Sequence, residues 1–278
     1  MNLETTMVKI VGAFATSHTP QILVQPKISE EFTRQLQEVH NALMQVGRRI
    51  KEANADTIIV FGSDHMETFW LNNYPQLLLF TGKEVGGKFA GYELRLPADP
   101  ELSKELLYGL IDLGFDVSFA HELELDHPYI SPTYWVLKGA QHDSYRPRMI
   151  PFHINSNVDP RIKPRRAFEL GKAIRQVLDG SKLQNRVALL ATGGLSHFVG
   201  TPFYGKVDVE ADNFLIEKMK AGKGYELADL TTDWLDEHGE FEFRTWLTLI
   251  GAVNSAPAEI ITYQRAWHAG YCVASFKV

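Results

Sequence analysis

Three short apolar runs in this chain each lead into a polar turn that carries a histidine. The runs are 9–15, 57–61 and 186–191, and the histidines that follow them are His18, His65 and His197. Each run is typical of a buried strand. In α/β sheets the loops beyond the carboxyl ends of parallel strands converge on one crevice. Because imidazole binds borderline metals and titrates near neutral pH, this pattern predicts one shared site and indicates a metalloenzyme.

The rest of the chain alternates predicted helices and strands. Segment 29–54 is a predicted amphipathic helix, because its apolar residues recur at alternating spacings of four and three. These residues are Phe32, Leu36, Val39, Leu43, Val46 and Ile50. The helix joins the first two strands in a βαβ unit, which implies a right-handed crossover.

Further helices are predicted at 100–114, 165–178, 209–220 and from about 242 onward, and further strands at 116–120, 149–154, 260–263 and 271–276. No repeat, linker or break in composition interrupts this order. We therefore expect residues 1–278 to form a single α/β domain. Its central sheet is predicted to be mixed or mostly parallel and flanked by helices, with the active site at the carboxyl ends of the strands.

Composition narrows the possible partners and location. The net charge of −6 and the lack of a Lys/Arg stripe argue against nucleic acid as the main partner. Cys272 is the only cysteine, so any metal must take mainly nitrogen and oxygen ligands. The first six residues lack the basic and apolar stretches of a signal peptide, and no apolar run approaches the ~20 residues of a membrane helix. We expect a cytoplasmic protein without a membrane partner.

Two carboxylates near the last long helix are candidates for a third metal ligand. Glu242 shares an apolar helix face with Trp246 and Leu249, which lie four and seven residues further on. A cation would offset the cost of burying that carboxylate, although an acid in a first helical turn is also favoured by the helix dipole. Glu240 is the competitor, and spacing alone does not separate the two. Two histidines and one carboxylate suit Fe(II) or Zn(II), so ligand types leave the metal open.

Two further histidines follow predicted strands. His127 comes after the strand at 116–120 and is either an acid/base residue near the site or part of a capped turn with Asp126 and Pro128. His153 ends another strand, where Pro151 and the apolar continuation favour a position in the core or at its rim.

In their order along the chain, these motifs resemble the type II (class III) extradiol ring-cleavage dioxygenases, a family that includes the catalytic subunit of protocatechuate 4,5-dioxygenase. The resemblance runs nearly from end to end. The matching segments are Ser17-His18-Thr19-Pro20, Asp64-His65, Leu125-Asp126-His127, Gly193-Gly194-Leu195-Ser196-His197, and Glu242 with Trp246 four residues later. Pro128 stands where the family usually has glycine, which leaves open how His127 is oriented.

The resemblance implies a non-haem Fe(II) ion held by His18, His65 and Glu242, and so favours Glu242 over Glu240. It implies that His197 is the catalytic acid/base and that His127 is a second catalytic residue. Asp64 is then either a residue that orients the neighbouring ligand or a structural turn residue.

The implied reaction is cleavage of an aromatic ring by O₂. The implied substrate is a small aromatic diol or aminophenol, of the protocatechuate, gallate or dihydroxyphenylpropionate type. The chain is expected to form a homo-oligomer or to bind a small helical partner subunit. Two other interpretations remain at this point: a Zn(II)-dependent hydrolase that uses the same His/His/Glu site, and a non-catalytic partner subunit.

Overall fold

The computed structural model describes residues 7–141 and 144–278, so the prediction made from the first six residues lies outside the described part. The strands of the main sheet are β1 (Lys9–Ser17), β2 (Thr57–Gly62), β3 (Leu77–Phe80), β6 (Ser118–Ala120), β7 (Arg148–Ile154), β8 (Arg186–Gly193), β9 (Ala258–Ala266) and β10 (Ala269–Phe276). β4 (Glu84–Phe89) and β5 (Tyr92–Pro97) form a separate antiparallel hairpin. The helices are α1 (Gln21–Val24), α2 (Glu30–Glu52), α3 (Pro100–Asp112), α4 (His127–Gly139), α5 (Pro164–Gly180), α6 (Val209–Lys220), α7 (Thr232–Glu237) and α8 (Phe243–Ala252), with a 3-10 helix at Gly224–Asp229.

The main sheet has eight strands in the order β6-β3-β7-β2-β8-β1-β10-β9. Its four central strands, β7, β2, β8 and β1, are parallel to one another. β10 and β9 extend one side antiparallel, and β3 joins the other side antiparallel to β7. The prediction of a mostly parallel mixed sheet flanked by helices is confirmed.

Helices cover both faces of this sheet, so the central strands are apolar on both sides. Every residue of β2 is buried, as expected of a central parallel strand. Ile58 and Val60 pack into one layer with α2 and α4, and Ile59 and Phe61 into the opposite layer with α3, α5 and α8. These layers hold the central strands, and with them the loops at their ends, in fixed relative positions.

The helix predicted at 29–54 is present as α2, and its first turn is capped as the sequence indicates. The Ser29 hydroxyl oxygen accepts a hydrogen bond from the backbone N–H of Phe32 at 3.0 Å. The apolar stripe is buried along the helix. Close helix contact depends on Gly47, where an added Cβ would lie 1.8 Å from the carbonyl oxygen of Val136 in α4.

The clearest differences between the structure and the predicted elements concern α4, β9 and β6. α4 was not predicted as a helix, because Pro128 and Pro132 interrupt its pattern; Pro128 is tolerated since the first helical turn needs no N–H donor there. The strand predicted at 260–263 extends to 258–266 because it pairs with β10 over its whole length. The strand predicted at 116–120 shortens to β6.

Within the described residues, no helix is long and apolar enough to cross a membrane.

Candidate metal centre

The loops that follow four strands meet at the carboxyl edge of the sheet. β1 leads to His18, β2 to His65, β8 to His197, and β7 to Asn157. A cavity of about 560 Å³ lies at this edge, and all four side chains line it together with Glu242. The prediction that the strand ends converge on one site is confirmed.

Glu242 lies at the centre of the histidine cluster. It immediately precedes α8, and its side chain is 1% exposed. One carboxylate oxygen, Oε2, is 2.9 Å from His18 Nε2, and the other, Oε1, is 3.1 Å from His65 Nε2. His197 Nε2 lies 3.3 Å from Oε2. Three imidazoles therefore direct a ring nitrogen at one carboxylate.

This donor set fits a metal ion. His18 Nε2 is buried and, within the described part of the chain, makes no hydrogen bond of acceptable geometry although a carboxylate oxygen lies 2.9 Å away. Buried polar atoms are normally hydrogen-bonded, so an unpaired imidazole nitrogen beside a carboxylate is characteristic of a ligand. Two imidazoles and a carboxylate are the ligands of facial-triad Fe(II) sites and also suit Zn(II).

The electrostatics of the cluster keep Glu242 charged. Burial alone would raise the pKa of Glu242, but the neighbouring His18 and His65 hold it well below its ordinary value. Burial lowers the pKa of His18, and Glu242 only partly reverses that effect. Burial would lower the pKa of His65, but Glu242, Asp126 and Asp64 together outweigh it and raise the pKa to about 9. The Glu242 carboxylate is therefore a buried negative charge that stabilises a cation beside it.

Glu240, the alternative ligand, faces away from the histidines. It is completely buried, and its pKa is raised well above the ordinary value by burial and by the nearby Asp212. Asp212 in turn accepts a hydrogen bond from the backbone N–H of Ser196 at 2.7 Å. Two carboxylates only two residues apart thus have opposite surroundings, and the structure places Glu242, not Glu240, among the imidazoles.

His127 joins the same cluster from the first turn of α4. Its ring centroid is 4.5 Å from that of His65 and 5.8 Å from that of His18. One ring nitrogen from each of the three lies within 4.8 Å of the others. The Nδ1 atom of His127 is 3.0 Å from Glu67 Oε1, and burial lowers the pKa of the imidazole to about 4 despite that carboxylate. Pro128 therefore does not turn His127 away from the site.

One ring nitrogen of His197 makes a hydrogen bond to the backbone, and the other faces the site. Its Nδ1–H donates to the carbonyl oxygen of Leu195 at 2.9 Å, which leaves Nε2 as the basic nitrogen that faces Glu242. The backbone N–H of His197 donates to Gly239 O at 3.0 Å. Burial lowers the pKa of His197, but the protonated form donates Nε2–H to Glu242, and this contact, the charge of Glu242 and the hydrogen bond to Leu195 O together raise the pKa.

Asp64 organises the loop rather than the imidazole of His65. Its carboxylate accepts backbone N–H groups from Met66, Thr68 and Phe69 at 2.8, 2.9 and 3.2 Å. This is the structural turn role that the sequence left open. The carboxylate that contacts the backbone of His65 is Asp126, which accepts the His65 N–H at 3.0 Å.

His153 supports this loop from below. It is 2% exposed, and its Nδ1 accepts the backbone N–H of Asp64 at 3.2 Å while Nε2–H donates to Pro75 O at 3.1 Å. The predicted position of His153 in the core or at its rim is confirmed.

Two site residues were missed from the sequence. Asn157 donates from Nδ2 to Glu242 Oε1 at 3.0 Å, and Glu67 pairs with His127. Glu67 lies only two residues after His65, so its closeness to the site was a usable signal. Asn157 is 85 residues from Glu242, and only its place just after a predicted strand indicated it.

The fold and the cluster define an α/β protein with a His/His/Glu-type metal site. The family model described as the catalytic LigB subunit of aromatic ring-opening dioxygenase matches residues 12–274, and the chain belongs to this family. The resemblance inferred from the motifs is confirmed.

Curated relatives carry the name 2,3-dihydroxyphenylpropionate/2,3-dihydroxicinnamic acid 1,2-dioxygenase. The one from Klebsiella pneumoniae is 28% identical over 72% of this chain and 60% of its own length. The one from Photorhabdus laumondii is 30% identical over 74% of this chain and 62% of its own length. The matched part of the chain thus spans about 60% of these relatives. The crystal structure of the uncharacterized protein JW3007 from Escherichia coli K12 is similar in fold, with a TM-score of 0.59 and 13% identity over 96% of this chain and 100% of that one.

Proposed function

We propose that this protein is a non-haem Fe(II)-dependent extradiol dioxygenase that cleaves the ring of a catechol-type substrate with O₂. The observation that carries the proposal is the position of Glu242, whose two buried oxygens face the Nε2 atoms of His18 and His65. Family membership and relatives named as 1,2-dioxygenases of dihydroxyphenyl compounds support it.

His18, His65 and Glu242 would hold the iron. When bound, Fe(II) supplies open coordination positions and an electron path between an aromatic diol and O₂. The single negative charge of Glu242 offsets part of the ion's charge, and Asn157 fixes one of its oxygens by a hydrogen bond.

His197 would act as general base and general acid. Its Nε2 would take the proton of a substrate hydroxyl, because Nδ1–H is committed to Leu195 O and the imidazole is thereby held in one tautomer. The same nitrogen would return the proton later in the reaction. His127, with Nδ1 beside Glu67, would hydrogen bond the bound reactants from its other ring nitrogen.

A Zn(II)-dependent hydrolase is the alternative, because Zn(II) accepts the same three donors. A non-catalytic partner subunit is less well supported, since every residue of the proposed site is present in one cavity. The cytoplasmic location, and either self-association or a small helical partner subunit, stay predictions.

The test is anaerobic loading of the purified protein with Fe(II), or with Zn(II) in a parallel sample. A panel of catechols, aminophenols and gallates is then mixed with each sample and O₂ is added. We expect O₂ uptake and a yellow ring-opened product with iron only, and incorporation of both oxygen atoms when ¹⁸O₂ is used. Anaerobic turnover of an ester or amide with zinc would support the hydrolase instead.

A further inference from the structure

Outside the histidine cluster, the cavity wall contains little available positive charge. Apart from the histidines, Arg161 is the basic residue that lines it within the described part of the chain. The guanidinium of Arg161 donates to both oxygens of Asp236, at 2.7 Å each, and its Nε–H donates to Asp159 at 2.9 Å. One positive charge is therefore already paired with two carboxylates, in a geometry that uses both edges of the guanidinium.

His268 is a polar cavity residue without such a partner. It is 4% exposed, and its Nδ1 makes no hydrogen bond with any described residue. Its ring packs against Trp267 and Tyr204 at centroid distances of 4.2 and 5.5 Å. Burial and, to a lesser degree, His197 lower the pKa of His268 to about 4, so the imidazole is uncharged at neutral pH. His268 thus offers a neutral hydrogen-bonding group to a ligand.

The remaining cavity wall is largely apolar. Its apolar members include Pro20, Met66, Val158, Leu195, Val199 and Phe241. A carboxylate moved from water into such surroundings loses its hydration without gaining a counter-ion. A neutral amide or alcohol needs only a hydrogen-bond partner, which His268 supplies.

We propose that the substrate carries an uncharged ring substituent, such as an amide, ester or alcohol, and that the cavity discriminates against catechols with a carboxylate side chain. This inference rests on the proposed function, because the two catechol oxygens are taken to bind at the metal. The preference follows from the pairing of Arg161 with Asp236 and Asp159 and from the uncharged, unpaired His268.

The test compares acids with amides of equal size. The iron-loaded protein is given 3,4-dihydroxybenzoate and 3,4-dihydroxybenzamide, and 3-(2,3-dihydroxyphenyl)propionate and its primary amide, and kcat/KM is measured by O₂ uptake. Binding of each compound to the Zn(II)-loaded protein is measured separately, so that affinity is read without turnover. We expect each amide that fits to exceed its acid at least tenfold in both measurements. Equal or better use of the acids overturns the inference while leaving the proposed function intact. Failure of all four compounds, together with failure of the whole panel of catechols, aminophenols and gallates, contradicts the proposed function and the inference with it.

A variant tests the cause of the preference. Asp236→Asn removes one carboxylate from Arg161 and is expected to shift the acid-to-amide ratio of kcat/KM at least fivefold toward the acid. The matched control is Asp233→Asn, which removes the same charge from an exposed position on the same helix, α7, and is expected to leave the ratio unchanged. Thermal unfolding confirms that both variants are folded. An unchanged ratio in the folded Asp236→Asn variant, or equal shifts in both variants, would refute the role of the Arg161 pairing.

Discussion

The central parallel strands carry buried polar clusters at both ends, and the two clusters differ in how completely they are paired. At the amino end, Asp99 accepts hydrogen bonds from Thr57 Oγ1 at 3.0 Å and from Asn185 Nδ2 at 2.7 Å, and it caps α3 through the N–H of Leu102. Arg148 Nη1 lies 3.3 Å from the same carboxylate. At the carboxyl end, three imidazoles share the carboxylate of Glu242, and His18 Nε2 has no hydrogen bond within the described residues.

This is the difference that we expect between a cluster that stabilises the fold and one that binds a ligand. Both carboxylates are almost completely buried, so burial does not distinguish them. A network in which each donor has its acceptor stabilises the folded state, whereas unpaired donors in a buried cluster raise its energy until a ligand engages them. Substitutions at the two ends should therefore affect different properties, which can be measured independently.

The largest expected effect is the loss of metal on changing Glu242. Glu242→Gln keeps the shape of the side chain but removes the buried negative charge, so we expect iron binding to fall by at least about 10³-fold, with activity lost in parallel. Metal content after anaerobic loading is measured by mass spectrometry. The control is Glu240→Gln, which should retain iron because its carboxyl group faces Asp212. A full complement of iron in Glu242→Gln would remove it from the ligand set.

Changing His197 should separate turnover from metal binding at the same end of the strands. His197→Ala removes the proposed acid/base but none of the three proposed ligands, so we expect iron to be retained and kcat to fall by roughly 10²–10⁴-fold. Stopped-flow measurement with saturating catechol gives kcat, and metal analysis accompanies it. His121→Ala, at an exposed histidine beside Thr81, is the control and should leave both values unchanged. Near-normal turnover in His197→Ala would exclude the acid/base role.

The opposite outcome is expected at the amino end. Asp99→Ala removes the nearest acceptor of Asn185 Nδ2, one of the two carboxylates that Thr57 Oγ1 contacts, and the cap of α3. The free energy of unfolding should therefore fall by about 3 kcal/mol. Urea denaturation of the metal-free protein measures this, and the metal affinity of the folded variant should be unchanged. Asp112→Ala, at the exposed end of α3, should change stability by no more than about 0.5 kcal/mol. A loss of metal affinity in folded Asp99→Ala would break the proposed separation between the two ends.

The sequence predicted the parts of the molecule that are specified locally. β2 and β8 are short apolar runs, and α2 has a continuous apolar stripe that follows its Ser29 cap. A histidine follows the end of each of these strands and could be identified by that position. These features depend on neighbours within a few residues of one another. The carboxyl-end cluster was predictable in outline because parallel strand ends converge.

The parts that were missed depend on contacts between distant segments. Nothing near Asn157 indicates that its amide reaches Glu242, and the choice between Glu240 and Glu242 required either the family resemblance or the structure. At the turn before α8, two residues of backbone direct one carboxylate to Asp212 and the next to the histidines. The start of α4 at His127 was obscured by Pro128 and Pro132, whose tolerance in this helix depends on their position and packing.

His40 is a buried histidine that lies outside the proposed metal site. It should make the stability of the fold depend on pH. Its Nε2–H donates to Ile22 O at 2.8 Å, its ring stacks on Trp135 at 3.8 Å, and burial lowers its pKa to about 4. The His40 imidazole binds a proton near pH 6.5 in the unfolded chain but only near pH 4 in the folded protein. Stability from this group is therefore complete above pH 6.5 and declines as the pH falls toward 4, by at most about 3 kcal/mol.

The variant His40→Gln isolates this contribution, because glutamine does not titrate. The difference in unfolding free energy between the natural protein and His40→Gln should shrink steadily from pH 7 to pH 4. Urea denaturation at each pH measures it. A difference that stays constant over this range would show that His40 is not held neutral by the fold.

The smallest effect is expected at Asn157. This residue tests whether a hydrogen bond to a proposed ligand contributes to metal affinity in addition to the ligands themselves. Asn157→Ala removes the hydrogen bond to Glu242 Oε1, so the carboxylate loses one of the contacts that orient it. We expect metal affinity to fall by roughly 10–100-fold while the ligand set stays intact. Competition with a chelator for Co(II) or Zn(II) measures the affinity without requiring activity. Asn41→Ala, on the exposed face of α2, serves as the control. Unchanged affinity in Asn157→Ala would mean that the three imidazoles around Glu242 are sufficient to orient its carboxylate. The histidine cluster at the carboxyl ends of the strands would then be rigid without the Asn157 amide.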